Sequence, residues 1–424
     1  MMSPVADLRG AARLAVDLTV LVTDVVETMH HNIRRRPLPL GKATHEPTRG
    51  ITGFVYRRVR GVTRLVGVSI DTLLAPLVPL LAGRNAEARA GRDVVVGALN
   101  GVLGDHLEAS GNPLAIAMHV RHDGALLPLA REAIARRVPR PKSRLIVMVH
   151  GLCMSEASWT RQGHDHGRSL ARDLSADVVY LRYNTGRHIS TNGAELAGLL
   201  DALAEAWPVP LRELVLVGHS MGGLVIRSAC AAGNADRRAW VRRLRALVFV
   251  GTPHHGAPLE RSGHGLDLLL RASPYTVAFS RLGRLRSAGV TDLRHGSVLD
   301  AEWQGRDRHA RDGYARHPQP LPRRVPAFAI AGSLSRAAPE RGRAPRSDGL
   351  VPVASALGRH ADPAMTVAFP ASHRWTAYGT GHLDLLASGD VYARIRDWLA
   401  AVLARPGAAQ PGLPSRRGRV STGQ

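Results

Sequence analysis

The sequence predicts a doubly wound α/β chain with a mostly parallel sheet, and three observations carry that expectation. Short apolar runs, each long enough for one buried strand, recur from about residue 144: RLIVMVH (144–150), DVVYLRY (177–183), LVLVGHS (214–220), ALVFVGT (246–252), AFAIAGS (327–333) and MTVAFP (365–370). Segments with helical periodicity, GAELAGLLDALAEAW (193–207) and VYARIRDWLAAVLA (391–404), lie between or after them. The runs are continuous rather than alternating, as in strands covered on both faces. Strand and helix in alternation specify helices on both sides of a parallel sheet.

Ahead of this series, LAIAMHV, the pair Asp123-Gly124 and ALLPLA read as a hairpin at the antiparallel edge of the sheet. Residues 1–92 show no strand pattern and read as two or three helices, broken at Arg34-Arg35-Arg36-Pro37 and Glu46-Pro47. We treat them as an appended helical region, with the α/β domain over 93–405. Between 256 and 324 the strand rhythm stops in an arginine- and leucine-rich stretch, an insertion placed where a lid would sit. The Pro/Gly/Ser/Arg-rich tail, 406–424, is expected to be disordered.

Composition narrows the function classes. The 424 residues carry a formal charge of +23, which by itself would raise nucleic acid or anionic lipid as partners. Lysine occurs only at Lys42 and Lys142, and the arginines are spread over helices and loops without aromatic interleaving. The excess is therefore a bias of the whole chain, and no nucleic-acid partner is expected. Contact with an anionic membrane surface fits it better. Asp7, Asp17 and Asp24 interrupt the apolar N-terminus, so it does not read as a secretion signal. The stretch from Leu65 to Ala82 contains Asp71, Pro76 and Pro79, and it reads as an amphipathic helix rather than a membrane span. The expected compartment is the cytoplasm, with a peripheral place at the membrane's inner face as the second reading. Cys153 and Cys230 have no CxxC spacing and read as packing residues.

The chemistry is carried by Gly218-His219-Ser220-Met221-Gly222. A G-x-S-x-G pattern arises by chance about 0.2 times in a chain this rich in glycine, so the letters need their context. Here a buried strand precedes the serine and a helical run follows, which is the sharp strand-to-helix turn that exposes a nucleophilic Oγ. Gly218 and Gly222 leave room where side chains would collide, and the N–H of Met221 is a natural donor to an oxyanion. His219, beside the nucleophile, is expected to pack rather than react.

A serine nucleophile needs a base, and the base needs an acid to orient it. After the strand ending at Ser333, Asp348 in Ser347-Asp348-Gly349-Leu350-Val351-Pro352 is the expected acid, against the plainer reading of an Asp-Gly turn. His382, in the glycine-flanked Gly379-Thr380-Gly381-His382 segment before the last helix, is the expected base; His373 is its nearest rival. His150-Gly151-Leu152-Cys153 ends the first parallel strand, and Leu152 is the expected second oxyanion donor, or Cys153 if the loop is shifted by one. The adjacent pair His254-His255 lacks the i, i+4 spacing of a helical metal site, so no metal is expected and the pair is placed in a wall of the site.

Taken together, HGLCMSEASW, VGHSMGGLV, FVGTPHHGAPLE, SDGLVPVASA and GHLDLL resemble the lipase and esterase branch of the α/β-hydrolases. The GTPHHGAPLE segment is similar to the GPI inositol-deacylase-like esterases. The resemblance covers roughly residues 114–404 and implies the α/β-hydrolase fold. It also implies ester hydrolysis through an acyl-enzyme without a cofactor, on a small-molecule or lipid ester, with Ser220, Asp348 and His382 as the triad and Leu152 and Met221 as oxyanion donors. Leu266-Asp267-Leu268-Leu269-Leu270 in the insertion suggests an apolar lid over an acyl pocket. Two other readings stay open: an acyltransferase using the same triad, and a non-catalytic module on a hydrolase scaffold.

Overall fold

The structure is a computed structural model. It describes residues 9, 10, 12, 13, 16 and 17 near the N-terminus, then 86–257, 287–306, 316–338 and 347–405. Most of the expected N-terminal helical region, most of the lid-like insertion and the whole tail therefore lie outside the described residues.

An eight-stranded sheet forms the centre: β1 (His119–His122), β2 (Ala125–Leu126), β3 (Arg144–Val149), β6 (Asp177–Arg182), β7 (Glu213–His219), β8 (Leu244–Val250), β9 (Ala327–Ser333) and β10 (Arg374–Tyr378). Its order is β10-β9-β8-β7-β3-β6-β1-β2. All pairs from β6 to β10 are parallel, while β1 runs antiparallel to β6 and β2 to β1. A separate two-stranded hairpin, β4 (Thr160–Arg161) and β5 (His164–Asp165), lies between β3 and β6 in the chain.

Helices cover both faces, which is why the central strands read as unbroken apolar runs. Leu145, Val147 and Val149 of β3 enter the core shared with α1 (Ala86–Ala109), α4 (Ile189–Ala206), α5 (Met221–Ala235) and α6 (Ala288–His295). Ile146 and Met148 point the other way, into the core shared with α3 (His166–Asp173) and α8 (Gly389–Leu403). This alternation follows the period of two along a strand. Two short helices, α2 (Arg131–Arg137) and α7 (Val353–Ala356), also lie among the described residues. Among the described residues no helix is long and apolar enough to cross a membrane.

Two readings of the sequence need correction. The run MTVAFP is not a strand: Val367 and Phe369 are buried, but the segment pairs with no neighbour in the sheet, and the last strand is β10, at 374–378. Buried alternate residues on an extended surface segment imitate strand patterning without ladder hydrogen bonds. The edge hairpin is also shorter than the apolar runs suggested. Its turn has Asp123 at φ 46° and Gly124 at φ 70°, the left-handed pair of a tight two-residue connection, and Pro128 brings no N–H to extend β2.

Helix α1 passes unbroken through residue 92. Its Leu99, Val102, Leu103 and Leu107 are part of the main core.

Candidate active site

The ends of four parallel strands meet at one edge of the sheet, and each expected site residue lies just beyond one of them. Ser220 follows β7, the His150–Cys153 loop follows β3, Asp348 lies beyond β9 and His382 beyond β10. This is the carboxyl edge, where open α/β sheets place their ligands.

Ser220 sits at φ 54° and ψ −126° between β7 and α5. A side-chain-bearing residue tolerates that conformation only when its surroundings impose it. They do so through its N–H, which donates to Val250 O at 2.9 Å, and through the glycines around it. A Cβ on Gly218 would lie 2.6 Å from Gly223 N, and one on Gly222 would lie 2.2 Å from Val149 O and 2.5 Å from His150 O. Gly222→Ala therefore has no room to relax, since it meets backbone on β3. Its expected cost is about 3 kcal/mol, read as a lower denaturation midpoint at unchanged m-value; a change below about 0.5 kcal/mol would contradict this packing.

The loop after β3 comes equally close. A methyl on Gly151 would stand 2.9 Å from Ser220 Cβ. The Cys153 N–H donates to Thr185 Oγ1 at 3.2 Å, so it is already committed. Leu152 N–H has no acceptor among the described residues, and Met221 N–H opens a helix, where no intrahelical acceptor exists. The loop is backed by α1: Cβ atoms on Gly97 and Gly101 would reach 2.9 Å from Met154 O and 2.2 Å from Cys153 Sγ. Buried charges brace the same corner. Arg121 pairs with Glu156 at 2.8 Å and Arg182 with Asp93 at 2.9 Å, joining β1 and β6 to the loop and to α1.

Asp348 and His382 form a buried pair, with Nδ1 and Oδ2 2.7 Å apart and neither side chain more than 1% exposed. The other carboxylate oxygen, Oδ1, accepts from Leu350 N–H at 2.9 Å and Val351 N–H at 2.7 Å. The Asp-Gly turn expected here thus exists, and its backbone donors orient the carboxylate. The two segments are also joined by His382 N–H donating to Asp348 O at 2.9 Å. With Nδ1 engaged, His382 Nε2 is buried and has no hydrogen-bond partner among the described residues. The imidazole lies against the elbow. A methyl on Gly251, the residue after the acceptor of Ser220 N–H, would be 3.2 Å from His382 Cε1, and the His219 and His382 rings are 4.7 Å apart.

His219 is fully buried, and its Nε2 faces His382 O at 3.2 Å. Burial pushes its pKa well below the usual value, so the ring is neutral and donates to that carbonyl. His373 stands at the start of β10, its Nδ1 3.2 Å from Ala327 O at the opposite edge of the sheet. The misread strand had placed it after the sheet, as His382's rival; β10 puts it before.

The two histidines of the pair have different surroundings. His254 is buried between Phe249 and Phe369. His255 lines a cavity of about 490 Å³ with Arg294, His295, Arg359 and His360, and none of Ser220, Asp348 and His382 lines it. Among the described residues no group of three or more His, Cys, Asp or Glu is placed to hold a metal. Cys153 and Cys230 are buried, and desolvation pushes both thiols up to about 12, which leaves them unreactive. Three contributors had no signal in the sequence: α1 behind the loop, Thr185 as acceptor for Cys153, and the His164–His166 pair behind the His382 segment.

Comparison with known proteins covers the Ser220 half of this region, the family match ending before Asp348 and His382. Residues 140–317 match the family model described as a PGAP1-like alpha/beta domain. Protein SERAC1 of Mus musculus is 23% identical over 169 residues, which is 32% of this chain and 25% of that protein, so the match spans a quarter of the relative's length. Among solved structures, the mature form of the Bacillus licheniformis lipase BlEst2 is 20% identical, with 62% of this chain and 94% of that one covered and a TM-score of 0.40. The naproxen esterase of Bacillus subtilis is 15% identical, with 61% and 83% covered and a TM-score of 0.35.

Proposed function

We propose that this chain is an α/β-hydrolase and a serine carboxylic-ester hydrolase acting on lipid-like or other apolar esters. The observation that carries the reading is the buried Asp348–His382 pair at 2.7 Å, packed against an elbow whose serine is held at φ 54°.

In this reading His382, kept by Asp348 with its proton on Nδ1, presents a bare Nε2 that takes the proton from Ser220 Oγ. The Oγ attacks the ester carbonyl, and the negative charge on the carbonyl oxygen is received by the N–H groups of Leu152 and Met221. The imidazolium returns its proton to the departing alcohol, leaving Ser220 acylated. Water, deprotonated by the same Nε2, then attacks the acyl-enzyme; the acid leaves and Ser220 regains its proton. The two backbone donors come from different strand ends, so the charge is met by groups that the fold has already oriented. Apolar esters are proposed from the leucine-rich insertion and from the family match.

Labelling with a fluorophosphonate probe tests the nucleophile. The wild-type chain should be labelled stoichiometrically and Ser220→Ala not at all. Equal labelling of the two would sink the assignment.

A further inference from the structure

Beyond Asp348, the segment that carries His382 is held by two histidines. The segment Gly381–Leu386 closes on itself through Leu385 N–H to Gly381 O at 3.2 Å and the short 3-10 turn Asp384–Leu386. One carbonyl of this turn, His382 O, receives His219 Nε2. Another, Leu385 O, lies 2.9 Å from Nε2 of His166, a fully buried residue that opens α3 on the opposite face of the sheet from α5. His166 Nδ1 is in turn 2.7 Å from His164 Nε2 on β5. Tyr392 of α8 covers the pair, stacked on the His166 ring at 5.9 Å and edge-on to His164 at 5.1 Å.

We propose that His166 is a positioning residue for His382, holding the base's loop through the Leu385 carbonyl, and that His164 fixes the tautomer of His166 that makes this bond. The inference rests on the esterase reading above.

The proton inventory leaves one consistent arrangement. A carbonyl only accepts, so His166 must carry its proton on Nε2. Its Nδ1 is then a bare acceptor, and the contact with His164 requires His164 to donate from Nε2. Burial drives the pKa of His166 down to about 4, so the ring stays neutral at ordinary pH and does not protonate at Nδ1. A buried imidazole with both nitrogens used is costly to place and rigid once satisfied. Here it ties α3 to a point three residues beyond the base. The N–H of residue 382 is held by Asp348 O and its C=O by His219; the Leu385 O bond ties the C-terminal side of the loop to α3, and its loss lets that side shift relative to α3. A base displaced by a fraction of an ångström loses its alignment with the serine.

The test uses the full chain and three variants beside Ser220→Ala. His166→Leu removes the donor and should lower kcat about 10- to 100-fold on a soluble chromogenic ester, with KM within about twofold; the rate of fluorophosphonate labelling should fall in parallel. His166→Gln places an amide N–H near the same carbonyl and should recover kcat to within about threefold of wild type. His164→Ala, a change at a partly exposed side chain, should lower kcat and the labelling rate about threefold or more at unchanged KM. If His166→Leu melts earlier yet keeps wild-type kcat and labelling rate, the residue is merely structural and the proposal fails. Should His166→Leu not fold, an unchanged kcat in His164→Ala overturns the proposal instead. Failure of the underlying reading is separate, because it would show as activity or labelling retained in Ser220→Ala.

Discussion

Asp348→Asn is expected to lower kcat by about four orders of magnitude while leaving KM and the melting temperature near wild type. The size of the effect follows from how this carboxylate is held. Its Oδ1 accepts from the Leu350 and Val351 N–H groups, and its Oδ2 from His382. In the amide, the single carbonyl oxygen is claimed by the two backbone donors, so the NH2 group is left facing His382 Nδ1. An N–H opposite Nδ1 favours the imidazole tautomer protonated on Nε2. That tautomer presents Ser220 with a hydrogen instead of a lone pair. The fold is untouched and the base is disarmed. Steady-state kinetics with a chromogenic ester, together with a thermal melt of the same preparation, measures both halves of the expectation. A loss below tenfold would mean that Asp348 is only the turn residue of an Asp-Gly pair.

Acid is expected to unfold the domain with a midpoint between about pH 4 and pH 5.5 and an uptake of about four protons. His150, His166, His219 and His254 are buried, and desolvation is the leading cause that lowers the pKa of each: His150 to about 3, His166 to about 4, and the other two well below the usual value. Unfolding returns each to about 6.5. Between those values the unfolded chain binds protons that the folded chain refuses, so stability rises with pH. The contribution is complete above about pH 6.5 and is lost as the pH falls from there toward 4. Each such histidine gives a slope of about 1.4 kcal/mol per pH unit. Four together approach 6 kcal/mol per unit, against a total stability on the order of 5–15 kcal/mol. Circular dichroism against pH, with proton uptake from the pH dependence of the denaturation free energy, checks it. A midpoint below about pH 3.5 with fewer than two protons bound would show that these rings are reached by water.

Much of the architecture was legible because burial on both faces forces a strand to be apolar throughout. For β3, β6, β7, β8 and β9 the apolar runs match the observed strands to within two residues. That rule holds only where a ladder exists, which is why MTVAFP, buried at Val367 and Phe369 but unpaired, imitated a strand and β10 went unseen. RWTAY has only Ala377 buried, so an edge strand of mixed exposure has no run to show. Helix α1 was hidden for a different reason. Its close contact with Cys153 and Met154 depends on Gly97 and Gly101, residues that count against a helix by propensity alone.

What the sequence by itself determined is the ends of the buried strands β3, β6, β7, β8 and β9 and the chemistry attached to them. A glycine-spaced turn at Ser220 and an acid and a histidine downstream are local facts of residue type and order. Only the tertiary structure decided the pairing. It brings Asp348 Oδ2 to 2.7 Å from His382 Nδ1, places His373 at the far edge, and buries His254 between Phe249 and Phe369. It also supplies the neighbours that no motif spells: α1 behind the Leu152 loop and His166 beneath Leu385. Hydrogen bonds between residues 34 and 219 positions apart leave no trace in local composition, because their geometry exists only once the sheet has brought the strand ends to a common edge.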